Sequence, residues 1–225
     1  MELAKGMARD EDLAPFPRTI YSVKKNRQEY FALISYMDIQ IGKIIDALRD
    51  TKQIDNTVII FTSDHGLSCG QHGLMGKQNM FEHSMKPPLV ISGPGFPKGK
   101  TIKTPVYLQD IMPTTLELAQ VPIPDDIAFK SLLPVIKGKQ SYSSIYGAYK
   151  DKQRMIRKND FKLVWYPESE TYLLFDLLKD PYETNDLIYQ KDKQKIVNEL
   201  KKELYDQQLK LNDPMLTGNY GNLKE

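Results

Sequence analysis

The sequence predicts an α/β fold followed by a small antiparallel sheet that one helix covers. Three observations indicate this architecture. A helical hydrophobic period precedes a short β-branched run at 57–62, and a second run of that kind follows at 88–92. Helices that alternate with continuous apolar strands are typical of α/β proteins. Beyond residue 139 the pattern changes to short strands separated by polar turns.

The first 27 residues include Pro15 and Pro17 and show no sustained period, so we expect an extended connection there. Residues 28–51 should form a long amphipathic helix, because their apolar residues recur at helical spacing. These are Phe31, Ile34, Met37, Ile41, Ile44, Ile45 and Leu48. The runs at 57–62 and 88–92 should be buried parallel strands, since strands covered on both faces lack alternation.

The later elements are predicted in the same way. A second helix is expected over 109–119, where Asp110 and Pro113 suit the first turn. A stretch rich in Pro and Lys at 122–139 separates two predicted domains, 1–139 and 140–225. The second domain should hold a helix over 189–211 and a loose tail. Its expected strands are Ser144–Tyr149, Arg154–Arg157, Phe161–Tyr166 and Tyr172–Asp176.

Composition excludes several classes of protein. The 225 residues contain a single cysteine, which rules out a module stapled by intrachain disulfides. The 31 basic and 29 acidic residues leave a net charge of +2, so we expect no nucleic-acid partner recognised by bulk charge. No apolar run approaches the roughly 20 residues of a membrane span. The charged start of the chain does not resemble a secretory signal.

The polar segment after the first predicted strand is the main candidate site. Ser63, Asp64, His65 and Gly66 follow the strand directly, at the end where open α/β sheets bind ligands. A carboxylate and an imidazole there can hold a metal ion or a phosphate-like group, and Gly66 permits a sharp turn. The alternative is a plain strand-to-loop turn in which Asp64 caps backbone N–H groups.

A glycine-punctuated loop over 70–77 carries two further candidates, His72 and Lys77. Lys77 could neutralise an anionic substrate, or it could be an ordinary solvated lysine. His83 is a weaker candidate, since a lone histidine is more often satisfied locally.

Taken in order, these motifs resemble the sulfatase family, whose fold is the alkaline-phosphatase-like α/β sandwich. The resemblance rests on runs along nearly the whole chain: Tyr36–Asp38 with Ile41–Gly42, Val58–Gly66, Gly70–Lys77, Pro88–Gly95, Gln109–Thr114, Phe161–Val164, Phe175–Leu177 and Asp180–Asn185. It implies that the chain is the C-terminal part of that sandwich followed by the C-terminal sulfatase subdomain.

The resemblance assigns roles to individual residues. Asp64 matches a carboxylate ligand of the family's divalent metal, usually Ca²⁺. His65 takes the neighbouring position, where many members have Asn and one branch has His, so it either binds the metal or hydrogen-bonds the substrate. Lys77 matches the lysine that contacts the sulfate ester, and His72 is a candidate for the substrate side.

The same resemblance predicts a formylglycine nucleophile, made from Cys or Ser in the signature Cys/Ser-x-Pro/Ala-x-Arg. Cys69 does not match, because Gln71 and Gly73 occupy the Pro/Ala and Arg positions. Ser92 fails as well, since Phe96 stands at the Arg position. We therefore expect a chain that has part of the metal site and the lysine, lacks the nucleophile, and is inactive alone.

Three functions stay open at this point. The first is sulfuric ester hydrolysis, with a sulfated small molecule or glycan as substrate and the missing N-terminal half of the enzyme as partner. The second is hydrolysis of phosphate or phosphonate monoesters, and the third is a non-catalytic remnant. Complete family members are commonly periplasmic or secreted. Their export signal would lie in the N-terminal half, so the compartment of this chain stays unknown.

Overall fold

The computed structural model describes Ala14 and residues 18–139 and 142–217. These residues form two compact units. The first unit comprises Ala14, 18–77 and 83–102. The second unit comprises 78–82, 103–139 and 142–217. The sequence division at residue 139 stays a prediction.

A long helix, α1 (Ile20–Asp50), opens the first unit. The side-chain oxygen of Thr19 accepts the N–H of Ser22 at 3.2 Å and caps the helix N-terminus. The expected extended connection is therefore wrong from residue 20 onward, because this cap starts the helix before its hydrophobic period becomes regular. The rest of that segment, 1–13 and 15–17, lies outside the described residues.

The hydrophobic residues of α1 do not enter a core formed by the described residues, since none of them is buried. We call its exposed large side chains the α1 apolar surface: Ile20, Tyr21, Phe31, Leu33, Ile34, Tyr36, Met37, Ile39 and Ile44. Despite these residues, no helix in the described part of the chain is long and apolar enough to cross a membrane.

The two apolar runs form strands β1 (Ile59–Thr62) and β4 (Leu89–Ser92). They pair with each other in antiparallel register, and Phe61 stands opposite Val90. Both of these side chains are exposed. The strands are confirmed, but the expectation that they are buried and parallel is wrong. An apolar run does not encode strand direction, which depends on the partner strand.

Short elements connect β1 to β4. Strands β2 (Ser68–Cys69) and β3 (Met75–Gly76) form a small hairpin. The four-residue helix α2 (Glu82–Met85) follows. Such short elements have no periodicity that a sequence could reveal.

The second unit contains the predicted antiparallel sheet. Helices α3 (Ile111–Leu118) and α4 (Leu133–Ile136) precede it. The strands run in the order β5, β6, β7, β8. Their bounds are β5 (Ile145–Tyr149), β6 (Gln153–Lys158), β7 (Phe161–Tyr166) and β8 (Thr171–Asp176). Helices α5 (Gln194–Lys210) and α6 (Pro214–Thr217) complete the unit.

The sheet and α5 share one hydrophobic core, which confirms the predicted sheet and helix. Its centre holds the fully buried Ile156, Leu163 and Leu174 from β6, β7 and β8. Val197, Leu200 and Leu204 of α5 pack against them: each is 3% exposed. The period of the helix and the alternation of the strands thus place their apolar faces together.

Candidate functional site

The candidate site begins where β1 ends. Thr62 Oγ1 donates to the carbonyl oxygen of Pro88 at 2.8 Å, which ties the end of β1 to the residue before β4. Ser63 Oγ donates to the carbonyl oxygen of His65 at 2.7 Å and closes a tight turn. Together these bonds hold the polar segment at one end of the β1–β4 pair.

Asp64 and His65 lie side by side in this turn. Asp64 Oδ1 accepts the N–H of His65 at 3.0 Å, and Asp64 Oδ2 is 3.2 Å from His65 Nε2. His65 Nδ1 is 2.9 Å from the carbonyl oxygen of Gly66. Because a carbonyl only accepts hydrogen bonds, this contact assigns a proton to Nδ1. The other ring nitrogen, Nε2, faces the Asp64 carboxylate.

Gly66 fixes this turn against α2. Its N–H donates to the carbonyl oxygen of Ser84 at 2.8 Å. A Cβ atom at position 66 would lie 2.0 Å from the carbonyl oxygen of His83. Glycine is therefore required for the close approach of two backbone segments, whereas the sequence suggested only a sharp turn.

The β2–β3 hairpin positions His72. Gly70 begins its loop with φ of 101°, and a Cβ there would lie 2.4 Å from Val23 Cγ1 of α1. His72 itself has a left-handed backbone, with φ of 53°. Its ring centroid lies 5.6 Å from that of His83. The structure thus pairs a stronger and a weaker candidate, a contact that no sequence spacing predicts.

Lys77 follows β3 directly and is exposed. It makes no hydrogen bond or ion pair with another residue of the described chain. Its ammonium group is therefore open to contact with an anion. The contacts group Asp64 with His65, and His72 with His83, while Lys77 belongs to neither pair.

The donor chemistry of Asp64 and His65 fits part of a divalent-cation site. The side chain of Asp64 is 81% exposed and that of His65 is 35% exposed, so both can be reached by an ion. Ca²⁺ takes six to eight oxygen ligands. Within the described residues no group of three or more His, Cys, Asp or Glu side chains could hold a metal. These two residues alone would therefore supply a minority of the ligands.

Cys69 has the properties of a structural thiol. It is a free cysteine and it is buried. Burial raises the pKa of its thiol, and Arg27 opposes this shift only in part. A raised pKa keeps the sulfur protonated and weakly nucleophilic.

Two family models match this chain. A model described as "Sulfatase" covers residues 5–121, and one described as "N-sulphoglucosamine sulphohydrolase, C-terminal" covers residues 70–210. Each match spans more than half of the chain, and together they include every candidate residue of the site.

Individual relatives agree with these matches. A choline-sulfatase from Rhizobium meliloti is 35% identical over 184 residues, which are 78% of this chain and 36% of the relative. The solved structure of a protein in complex with its substrate D-glucosamine-2-N,6-O-disulfate has a TM-score of 0.80 and 29% identity. That match covers 86% of this chain and 43% of the other.

A third similar protein has a different described chemistry. The phosphonate monoester hydrolase of Agrobacterium radiobacter has a TM-score of 0.74 and 26% identity, over 85% of this chain and 43% of that enzyme. These likenesses confirm the alkaline-phosphatase-like sulfatase fold. This chain spans well under half the length of the relatives and structures it matches.

Proposed function

Because this chain belongs to the sulfatase family, we propose that it supplies the C-terminal part of a sulfuric ester hydrolase. The observation that supports this most directly is the coincidence of the family matches with the Asp64–His65 turn and the exposed Lys77. The proposed substrate is a sulfated small molecule or glycan. One structural relative binds a sulfated glucosamine as its substrate, which favours that class.

Each site residue has a proposed role. Asp64 and His65 Nε2 would hold a divalent cation, Ca²⁺ by family resemblance, and a bound cation would draw negative charge from the sulfate group. Lys77 would stabilise the charge that develops on the sulfate oxygens as the ester bond breaks. His72, held beside His83, would contact the substrate.

The nucleophile is proposed to come from a further segment of the enzyme. Cys69 has neither the residues of the formylglycine signature around it nor a lowered pKa. The described donors also fall short of a complete Ca²⁺ site. The 225-residue chain should therefore hydrolyse no sulfate ester until an N-terminal sulfatase segment is added.

Complementation tests this proposal. The chain is co-expressed with the segment encoded immediately upstream of it, and hydrolysis of an aryl sulfate is measured. Activity should appear only in the combination, and Lys77→Ala should reduce kcat by about 100-fold or more, as loss of one charge-stabilising group does. Lys86→Ala removes another exposed lysine of the first unit and should leave the rate unchanged. Full activity of the Lys77→Ala combination would remove the proposed role.

Phosphate or phosphonate monoester hydrolysis is the second candidate function. The similarity to a phosphonate monoester hydrolase at 26% identity favours it. The same reconstituted material separates the two: a higher kcat/KM for aryl phosphonates than for aryl sulfates would replace the first proposal by the second.

A further inference from the structure

An open cleft of about 630 Å³ lies between the β7–β8 turn and the start of α5. All of its lining residues belong to the second unit, so it shares no residue with the Asp64–Lys77 segment. Its floor is apolar, because Ile188 and Val197 are 9% and 3% exposed. A concave, partly apolar cavity of this volume is typical of small-molecule sites.

Aromatic side chains form the wall of this cleft. Tyr189 is 89% exposed, so its ring is open to a ligand. Tyr172 stacks on Trp165 with the ring centroids 5.8 Å apart and the planes 9° from parallel. This stacking restrains the Tyr172 ring, and a restrained ring costs little entropy when it binds a ligand.

The polar lining of the cleft carries excess positive charge. Lys191 and Lys201 stand against one acidic lining residue, Glu170. Neither lysine has an ion-pair partner within the described chain, and Lys201 Nζ is held 4.0 Å from the centroid of the Tyr172 ring. The hydroxyl of Thr171 and the side-chain amide of Gln194 add neutral hydrogen-bonding groups to the lining.

We propose that this cleft binds an anionic saccharide, with Tyr189 against the apolar face of a sugar ring and Lys191 and Lys201 on its charged substituents. An exposed aromatic ring beside neutral hydrogen-bonding groups suits a ligand that has apolar faces and many hydroxyls. The two lysines select for sulfate or carboxylate groups. The choice of a sulfated sugar within this class rests on the proposed function.

The single tryptophan of the chain, Trp165, gives a direct measurement. Because Trp165 stacks on a lining residue, its fluorescence should change when the 225-residue chain is titrated with a sulfated glucosamine tetrasaccharide. Tyr189→Ala should weaken binding about 3- to 10-fold. Lys191→Ala combined with Lys201→Ala should weaken it by about 10-fold and flatten its salt dependence.

Matched variants keep the test specific. Tyr182→Ala and Lys195→Ala remove exposed residues of the same unit that do not line the cleft, and both should bind as the parent chain does. Lys86→Ala removes an exposed lysine of the first unit and should also bind normally, which separates this cleft from surface charge elsewhere in the chain.

Three outcomes would overturn the inference. The first is no fluorescence or calorimetric response to the tetrasaccharide, and the second is loss of binding in Lys77→Ala with retention in Tyr189→Ala. The third is equal binding of a poly-glutamate peptide of matched charge, which would show that the cleft responds to charge alone. A desulfated tetrasaccharide should bind at least about 10-fold more weakly.

Discussion

Gly66 occupies a position where an additional methyl group has no room. Its Cβ would lie 2.0 Å from the carbonyl oxygen of His83, which belongs to the backbone and cannot rotate away. We expect Gly66→Ala to reduce the free energy of unfolding by about 1–3 kcal/mol, as overpacking does. Because the candidate site adjoins this contact, the variant should also lose the aryl sulfatase activity expected when the chain is co-expressed with the upstream segment.

A second glycine controls for the substitution itself. Gly42 lies in α1, and a Cβ atom added there would meet no other atom within 4 Å. Gly42→Ala should therefore raise the free energy of unfolding by about 0.5–1 kcal/mol, because alanine favours the helix. Urea denaturation of both variants measures the difference. Equal stabilities would show that the Gly66 contact does not restrict the chain.

Lys162 is a buried cation whose substitution should cost much stability. It is fully buried, and its Nζ lies 2.7 Å from Glu183 and 3.1 Å from Glu82. Lys162→Met leaves the buried Glu183 carboxylate without this cation and removes one of the two cations beside the partly buried Glu82, which should cost about 3–5 kcal/mol in urea denaturation. Lys152→Met breaks the exposed pair with Glu168 and should barely change the midpoint. A small loss for Lys162→Met would mean that the carboxylates are neutralised in another way.

Helix α5 is joined to the sheet by an ion pair whose contribution to stability depends on pH. The Lys158 ammonium, 2.6 Å away, lowers the pKa of Glu203 from 4.5 to about 2, and hydrogen bonds from Ser144 and Gln207 add to the shift. A lowered pKa means that the unfolded chain binds the proton more tightly. The stabilisation is therefore complete above pH 4.5 and is lost as the pH falls towards 2.

Glu203→Gln should remove part of this acid sensitivity. Urea denaturation between about pH 6 and pH 2 should show a smaller fall in the free energy of unfolding for the variant than for the parent chain. Glu199→Gln changes an exposed residue of α5 without an ion pair in the described structure, so its profile should follow the parent. Identical profiles for all three proteins would contradict the assignment to Glu203.

The elements differ in how much of them a sequence can reveal. The β5–β8 sheet was predictable because alternation and polar turns are local signals. The family resemblance proposed a site segment from contiguous motifs, and its residue roles stay a prediction. The start of α1 was not predictable, since it depends on one hydrogen bond that the Thr19 side-chain oxygen accepts from the N–H of Ser22. The direction of β1 depends on its partner strand. The approach of His72 to His83 joins residues brought together only by the fold.

For the chain as a whole, the α1 apolar surface predicts association. Large apolar side chains such as Leu33 and Tyr36 are 67% and 64% exposed, and exposed apolar area of this size favours association. Under the proposed function an N-terminal sulfatase segment would cover it. The isolated chain should instead self-associate, and its apparent mass in size-exclusion chromatography should exceed 25.9 kDa and rise with concentration.

A charge pair placed on this surface tests the explanation. Leu33→Glu with Met37→Lys puts opposite charges four residues apart, which supports the helix while removing apolar area. This variant should elute as a monomer with unchanged helical circular dichroism. Leu178→Glu with Tyr182→Lys makes the same change at exposed positions of the second unit and should still self-associate. A parent chain that stays monomeric at every concentration would show that the α1 apolar surface does not drive association.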